Sequence, residues 1–156
     1  MFFGSPSHEG ITHSILKKII NINKNNFNFF FVDSYKRKVE PCVGCNCCYF
    51  AHICIYRDLD DVYKLLKNVT KIIIASPIYN CSFPSPLKAI FDRFQVFYNI
   101  KYKKIIKSKK VLLILTCGRK ATAKLTDCIQ LQTNCILKSI NAEVKKTIII
   151  DNTDNL

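Results

Sequence analysis

Glycine is scarce in this 156-residue chain, with only Gly4, Gly10, Gly44 and Gly118, and proline is limited to Pro6, Pro41, Pro77, Pro84 and Pro86. Long apolar runs are missing as well: KIIIA (71–75) and VLLIL (111–115) are far too short to span a bilayer. The amino-terminal MFFGSPSHEG has no basic region ahead of an apolar stretch, which excludes a signal peptide. A soluble cytoplasmic protein with no membrane partner is therefore expected. Acidic residues are few, 11 against 24 Lys and Arg, for a formal charge of +13. Such a balance suits an anionic partner such as a nucleotide, a nucleic acid or an acidic redox protein. The basic residues are scattered over 17–18, 36–38 and 101–110 without interleaved aromatic motifs, so a lysine-rich surface is the preferred explanation and nucleic acid is not an expected partner.

What is present reads as one domain. Hydrophobic residues make up 49% and charged residues 22%, a globular composition over a length that can bury a single core. Short β-type runs alternate with amphipathic stretches. Strands are expected as a stub at 1–3, then at 27–34, 71–77, 111–117 and 143–151. Helices are expected at about 12–22, at 58–68 with Asp58 as cap, at 85–99 with Ser85 as N-cap and Pro86 at N1, and at 122–140. Continuous apolar strands separated by helices signal a parallel sheet covered on both faces. The fold class is thus α/β, a doubly wound five-stranded parallel sheet with a short first strand and no helix after the last one. Residues 1–156 form a single domain whose cysteine-rich loop at 41–57 is an insertion.

The glycines all fall in loops that follow strands, and the prolines share those loops or open a helix. In a doubly wound sheet these loops gather at the carboxyl edge, where ligands bind. The first of them, GSPSHEGITHS (4–14), offers the hydroxyls of Ser5, Ser7, Thr12 and Ser14 beside the free N–H groups of a helix start. That pattern suits a terminal phosphate. It is neither a G-x-G-x-x-G turn nor a Walker A loop, and by itself it reads equally as capping.

The third loop and its helix, SPIYNCSFPSPLKAIFDRF (76–94), add a second pattern. Together the two stretches resemble the NAD(P)H-dependent FMN reductase family, flavodoxin-like proteins that include the iron–sulfur flavoproteins. The resemblance rests on Gly4-Ser5-Pro6, Gly10, Thr12, the cysteine loop, Asp60-Asp61, Ser76-Pro77, Tyr79, Leu87-Lys88 and Asp92-Arg93, in the family's order over residues 4–94. It implies a flavodoxin-like FMN-binding fold. Ser5, Ser7, Thr12, His13 and Ser14 would then surround the FMN phosphate. Pro77, Ile78, Tyr79, Asn80, Cys81 and Ser82 would lie along the isoalloxazine ring, with Thr116, Cys117 and Gly118 on its other side. No side chain is required as nucleophile or base; Lys88, Asp92 and Arg93 read as structural or interfacial. Two departures weaken the expected phosphate grip: the family's Arg is Ser7 here, and its Asn is Ile11.

Cysteine is abundant by contrast. Five of nine, Cys42, Cys45, Cys47, Cys48 and Cys54, crowd into PCVGCNCCYFAHICIYRDLDD (41–61). The odd total and the expected compartment disfavour a disulfide framework. Paired zinc knuckles need a longer segment between their two C-x-x-C turns. The spacing of Cys42, Cys45, Cys48 and Cys54 resembles compact ferredoxin runs, and resembles the iron–sulfur flavoproteins more closely. A [4Fe–4S] cluster on these four is favoured over zinc and over unmetallated thiols, with Cys47 the spare. The resemblance further implies an FMN-dependent oxidoreductase loaded by NAD(P)H or a ferredoxin-type partner, assembled as a homodimer or homotetramer. Phe91, Phe94, Phe97 and Tyr98 are the expected interface aromatics. Two other readings stay open: a basic zinc-binding module without catalysis, and a flavodoxin-like domain that has lost its cofactor.

Overall fold

The protein is described here as a computed structural model covering residues 1–98 and 106–155. Strands β1 (Phe2–Phe3), β2 (Val32–Asp33), β3 (Lys71–Pro77), β4 (Lys109–Thr116) and β5 (Ala142–Ile150) form one sheet in the order β2-β1-β3-β4-β5. Every pairing is parallel. Helices α1 (Ile11–Asn23), α2 (Cys47–Phe50), α3 (Asp60–Asn68), α4 (Ser85–Asp92) and α5 (Ala123–Ser139) fill the connections. This is the flavodoxin-like α/β architecture anticipated above.

Alternation along the strands sorts side chains to two faces. Phe2, Ile72, Ile74, Val111, Leu113 and Leu115 point into a large core with residues of α3, α4 and α5. Phe3, Ala75 and Ile114 point the other way, against Leu16 of α1. Among the described residues one face thus carries α3, α4 and α5, and the opposite face meets α1.

The structure corrects several boundaries. The apolar run 27–34 yields a ladder only at Val32–Asp33, because β2 pairs with β1 and β1 offers just Phe2 and Phe3. Phe27, Phe30 and Phe31 are left 38–42% exposed. Phe27 and Phe30 line a cavity of ≈ 640 Å³ that also reaches Ile72 and Ile73 of β3, upstream of the β1 pairing. The helix expected over 85–99 is α-helical to Asp92 and then tightens into a 3₁₀ turn, Arg93–Phe97; Asn99 lies outside the described residues. Its N-cap is Pro84, with Ser85 already helical. Helix α3 begins at Asp60 after Leu59, so Asp58 is no cap. After β5 comes one 3₁₀ turn, Thr153–Asn155. Phe91, Phe94 and Phe97 are buried core and only Tyr98 of the four is exposed, which removes the expected aromatic interface patch.

Candidate functional site

The carboxyl ends of β1, β3 and β4 are stitched together by backbone. Gly4 N–H donates to the Ala75 carbonyl (2.8 Å) and Ile78 N–H to that of Thr116 (2.8 Å). A Cβ at Gly4 would lie 2.5 Å from Leu87 Cδ2 and 2.6 Å from Ser76 Oγ, so the first loop can sit this close to the third only because it has no side chain there.

Within loop 4–10 the serine hydroxyls bond the loop's own backbone. Ser5 is buried and its Oγ accepts the Ser7 N–H (3.2 Å), while Ser7 Oγ accepts the Glu9 N–H (3.3 Å). Helix α1 has Gly10 as N-cap, with no side-chain cap bond and no acidic residue in its first turn, which leaves a partial positive pole facing the loop. Thr12, on that turn, hydrogen-bonds through its hydroxyl to Thr116 (2.7 Å). Ser14 is exposed one residue beyond His13. The His13 ring bonds the His8 carbonyl through Nδ1, and His8 Nε2 pairs with Asp33 Oδ2 (2.8 Å). The His8–Asp33 contact, which sequence reading missed, joins β2 to the first loop and has no local signature.

The loop after β3 is a two-residue turn. Tyr79 and Ser82 exchange backbone hydrogen bonds (2.9 Å each), and Asn80 (φ 49°) and Cys81 (φ 60°) both occupy the left-handed region. That is the signature of a type I′ turn, built here without glycine. Ser82 Oγ donates to Gln132 Oε1 of α5 (3.1 Å), and Cys128 Sγ approaches the Cys81 carbonyl (3.7 Å). Tyr79 is half-exposed, close enough to Tyr35 for its charge to help raise the Tyr35 pKa, although burial is the larger cause. On the far side, Cys117 N–H donates to Ile150 O (2.8 Å), and the Asp154 carboxylate lies against Gly118. Ser5, Ser7, Thr12, Thr116 and the 77–82 turn thus lie at one edge of the sheet.

The cysteine loop leaves the same edge after β2. Gly44 (φ 67°), Asn46 (φ 60°) and His52 (φ 59°) wind it back on itself around α2. Cys42, Cys45, Cys48 and Cys54 all line one cavity of ≈ 670 Å³, and Cys47 is not among its lining residues. Among the described residues no group of three or more metal-ligating side chains is already in coordinating geometry. The Cys48 thiol is pushed up, first by burial and then by the nearby sulfurs of Cys42, Cys45 and Cys54. Cys47 is pushed up too, first through its hydrogen bond with Cys45.

The base of this loop is closed by arginines. Arg93 is 2% exposed; it donates to the carbonyls of Glu40 (3.1 Å) and Tyr56 (2.9 Å) and pairs with Asp58 (2.5 Å). Asp58 also accepts the Glu40 N–H (2.9 Å), and Arg37 reaches the Asp58 carbonyl and the Asp61 carboxylate. Burial opposes the Arg93 charge, but Asp58, Tyr63 and Cys54 outweigh it and raise its pKa. Lys88 pairs with Asp92 one turn along α4. The structural role expected for Lys88, Asp92 and Arg93 is thereby specified: a helix pair and a loop clamp.

Residues 1–141 match the family described as NADPH-dependent FMN reductase. The chain belongs to that family. An iron-sulfur flavoprotein of Methanocaldococcus jannaschii is 33% identical over 92 residues, 58% of this chain and 48% of that protein. One from Methanosarcina thermophila is 37% identical over 57 residues, 36% of this chain and 30% of that protein. The matched segments thus span half or less of these relatives' length. Among solved structures, an NAD(P)H:quinone oxidoreductase from Methanothermobacter marburgensis has a TM-score of 0.77 at 13% identity, covering 97% of this chain and 81% of the other. An FMN-dependent NADH-azoreductase from Bacillus anthracis, solved with FMN, gives 0.69 at 14%, covering 99% and 87%. These likenesses establish the fold of this FMN reductase family member. No helix among its described residues is long and apolar enough to cross a membrane.

Proposed function

We propose that this chain is an FMN-dependent oxidoreductase that takes reducing equivalents from NAD(P)H and carries a [4Fe–4S] cluster in its 41–57 loop. Four cysteines at cluster spacing around one cavity, on a loop leaving the flavin edge of the sheet, are the observation that carries this reading. When bound, the flavin supplies hydride and single-electron chemistry and the cluster single-electron transfer.

The protein's own part is to bind and orient. The residues present fit an FMN phosphate in two respects: α1 opens without a side-chain cap or acidic residue, and the hydroxyls of Ser5, Ser7 and Thr12 gather in front of it. His13 and Ser14 would complete that cradle. Pro77–Ser82 would hold one side of the ring, the type I′ turn presenting backbone groups to its polar edge, and Thr116–Gly118 the other. Cys42, Cys45, Cys48 and Cys54 would hold the cluster in their shared cavity. A ferredoxin-type donor or acceptor and a homodimer or homotetramer, with the cysteine loop of one subunit near the flavin of another, complete the proposal.

Anaerobic purification followed by a visible spectrum and by iron, sulfide, zinc and flavin analysis tests it. Bound FMN with four irons and four sulfides per chain (roughly stoichiometric) is the expected result. A colourless protein holding zinc and refusing added FMN overturns it in favour of a non-catalytic module. One that holds neither is a domain without its cofactors.

A further inference from the structure

The clamp that closes the cysteine loop leaves one donor over. Arg93 uses Nη1 and Nη2 on Glu40, Asp58 and Tyr56, yet its Nε is inaccessible and has no hydrogen-bond partner among the described residues. A buried N–H without an acceptor is uncommon and costly, the more so on a charged group. The same side chain lines the cavity shared by Cys42, Cys45, Cys48 and Cys54, and it is the only charged residue among the described residues that do so. Cys54 is the cysteine whose charge is felt at both Arg93 and its neighbour Tyr63.

The chemistry of a four-thiolate centre supplies what Arg93 lacks. Four thiolates around a doubly cationic core leave a dianion, whether the core is an iron–sulfur cube or a single divalent metal. Inside a protein such a charge needs a nearby cation, and its sulfurs accept N–H hydrogen bonds that adjust both binding and potential. We infer that Arg93 is the counter-charge of a thiolate-bound centre in this cavity, its Nε–H donating to a sulfur of Cys54 or of the centre itself. This rests on the cluster reading above and adds to it a residue outside the cysteine loop. Arg93 is a positioning residue that also keeps the loop closed, so a test must separate charge from clamp.

Cobalt(II) titration of the reduced, metal-free full chain, followed by the thiolate–cobalt charge-transfer band, makes that separation. Arg93→Gln is expected to weaken cobalt binding about ten-fold or more. Arg93→Lys, which keeps the charge and loses the fork, is expected to recover most of it. Asp58→Asn removes a clamp partner but leaves the Arg93 charge uncompensated, and is expected to bind cobalt at least as tightly as wild type. Iron–sulfide reconstitution should give Arg93→Gln a lower reduction potential, since the reduced centre carries more negative charge. Far-UV circular dichroism checks that each variant is folded. Equal losses in Arg93→Lys, Arg93→Gln and Asp58→Asn would make Arg93 a clamp alone and overturn the inference, as would wild-type affinity in Arg93→Gln. Wild-type protein that forms no four-thiolate cobalt band would instead overturn the cluster reading, and the inference with it.

Discussion

The hydroxyls of Thr12 and Thr116 meet at 2.7 Å although 104 residues separate them. One belongs to the first turn of α1 and the other ends β4, so this contact joins the phosphate-side loop to the loop on the opposite side of the proposed ring site. In such a pair one O–H is spent on the partner and the other is free to serve a ligand.

Removing one member should expose that coupling. Thr116→Val leaves the buried Thr12 hydroxyl without its partner and is expected to cost about 1–2 kcal/mol of stability and to weaken FMN. The double variant Thr12→Val/Thr116→Val should lose less stability than the two singles added together. Urea melts and flavin fluorescence titration measure both; additive losses would mean that the pair is not coupled.

Neighbouring sulfurs separate the ligand register. Cys48 lines the shared cavity and Cys47 does not, so Cys47→Ser is expected to keep most bound iron while Cys48→Ser loses it or holds it labile. FMN should remain in both, because the proposed phosphate cradle lies on another loop. Iron and flavin analysis after anaerobic reconstitution decides this, and iron retained by Cys48→Ser alone would exchange the two roles.

Gly4→Ala tests the close approach of the first and third loops. Its Cβ would lie 2.5 Å from Leu87 and 2.6 Å from Ser76, both buried. Overpacking at such a point costs about 1–3 kcal/mol. A lower melting temperature with weaker FMN binding is expected; unchanged values in both would show that the loops have slack.

Lys109 gives a pH signature. It is 1% exposed, and burial lowers its pKa from 10.5 to about 8. The unfolded chain therefore binds the extra proton between about pH 8 and 10.5 while the folded one does not, so this residue makes stability rise with pH across that window. Below the window both states are protonated and its contribution is flat and unfavourable. Lys109→Met should flatten the slope, as read from denaturant melts at several pH values, and should stabilise the protein near neutrality.

The residues that declared themselves in sequence did so by local physics. Apolar strands such as 71–77 alternate with amphipathic helices, which specifies a parallel sheet because backbone groups buried on both faces must pair in ladders. The hydroxyl-rich first loop, the Tyr79 turn and the four cavity cysteines could be picked out in sequence because each is a short stretch of distinctive composition or spacing.

What sequence could not decide was set by partners distant in the chain. Phe27–Phe31 are as strand-like as any segment, yet β2 is two residues long because β1, its only neighbour among the described residues, is. Phe91, Phe94 and Phe97 exceed what one helix face needs, but the 3₁₀ turn after Asp92 rotates the later ones inward, so they are core. Asp58 has the chemistry of a helix cap; a buried guanidinium 35 positions later, at Arg93, draws it into the loop clamp instead. Residue type and periodicity thus determined the sheet, its helices and the loops at its carboxyl edge. Only packing in three dimensions decided which charges pair and which aromatics are buried, since the free energy of a contact depends on its neighbours and not on its place in the chain.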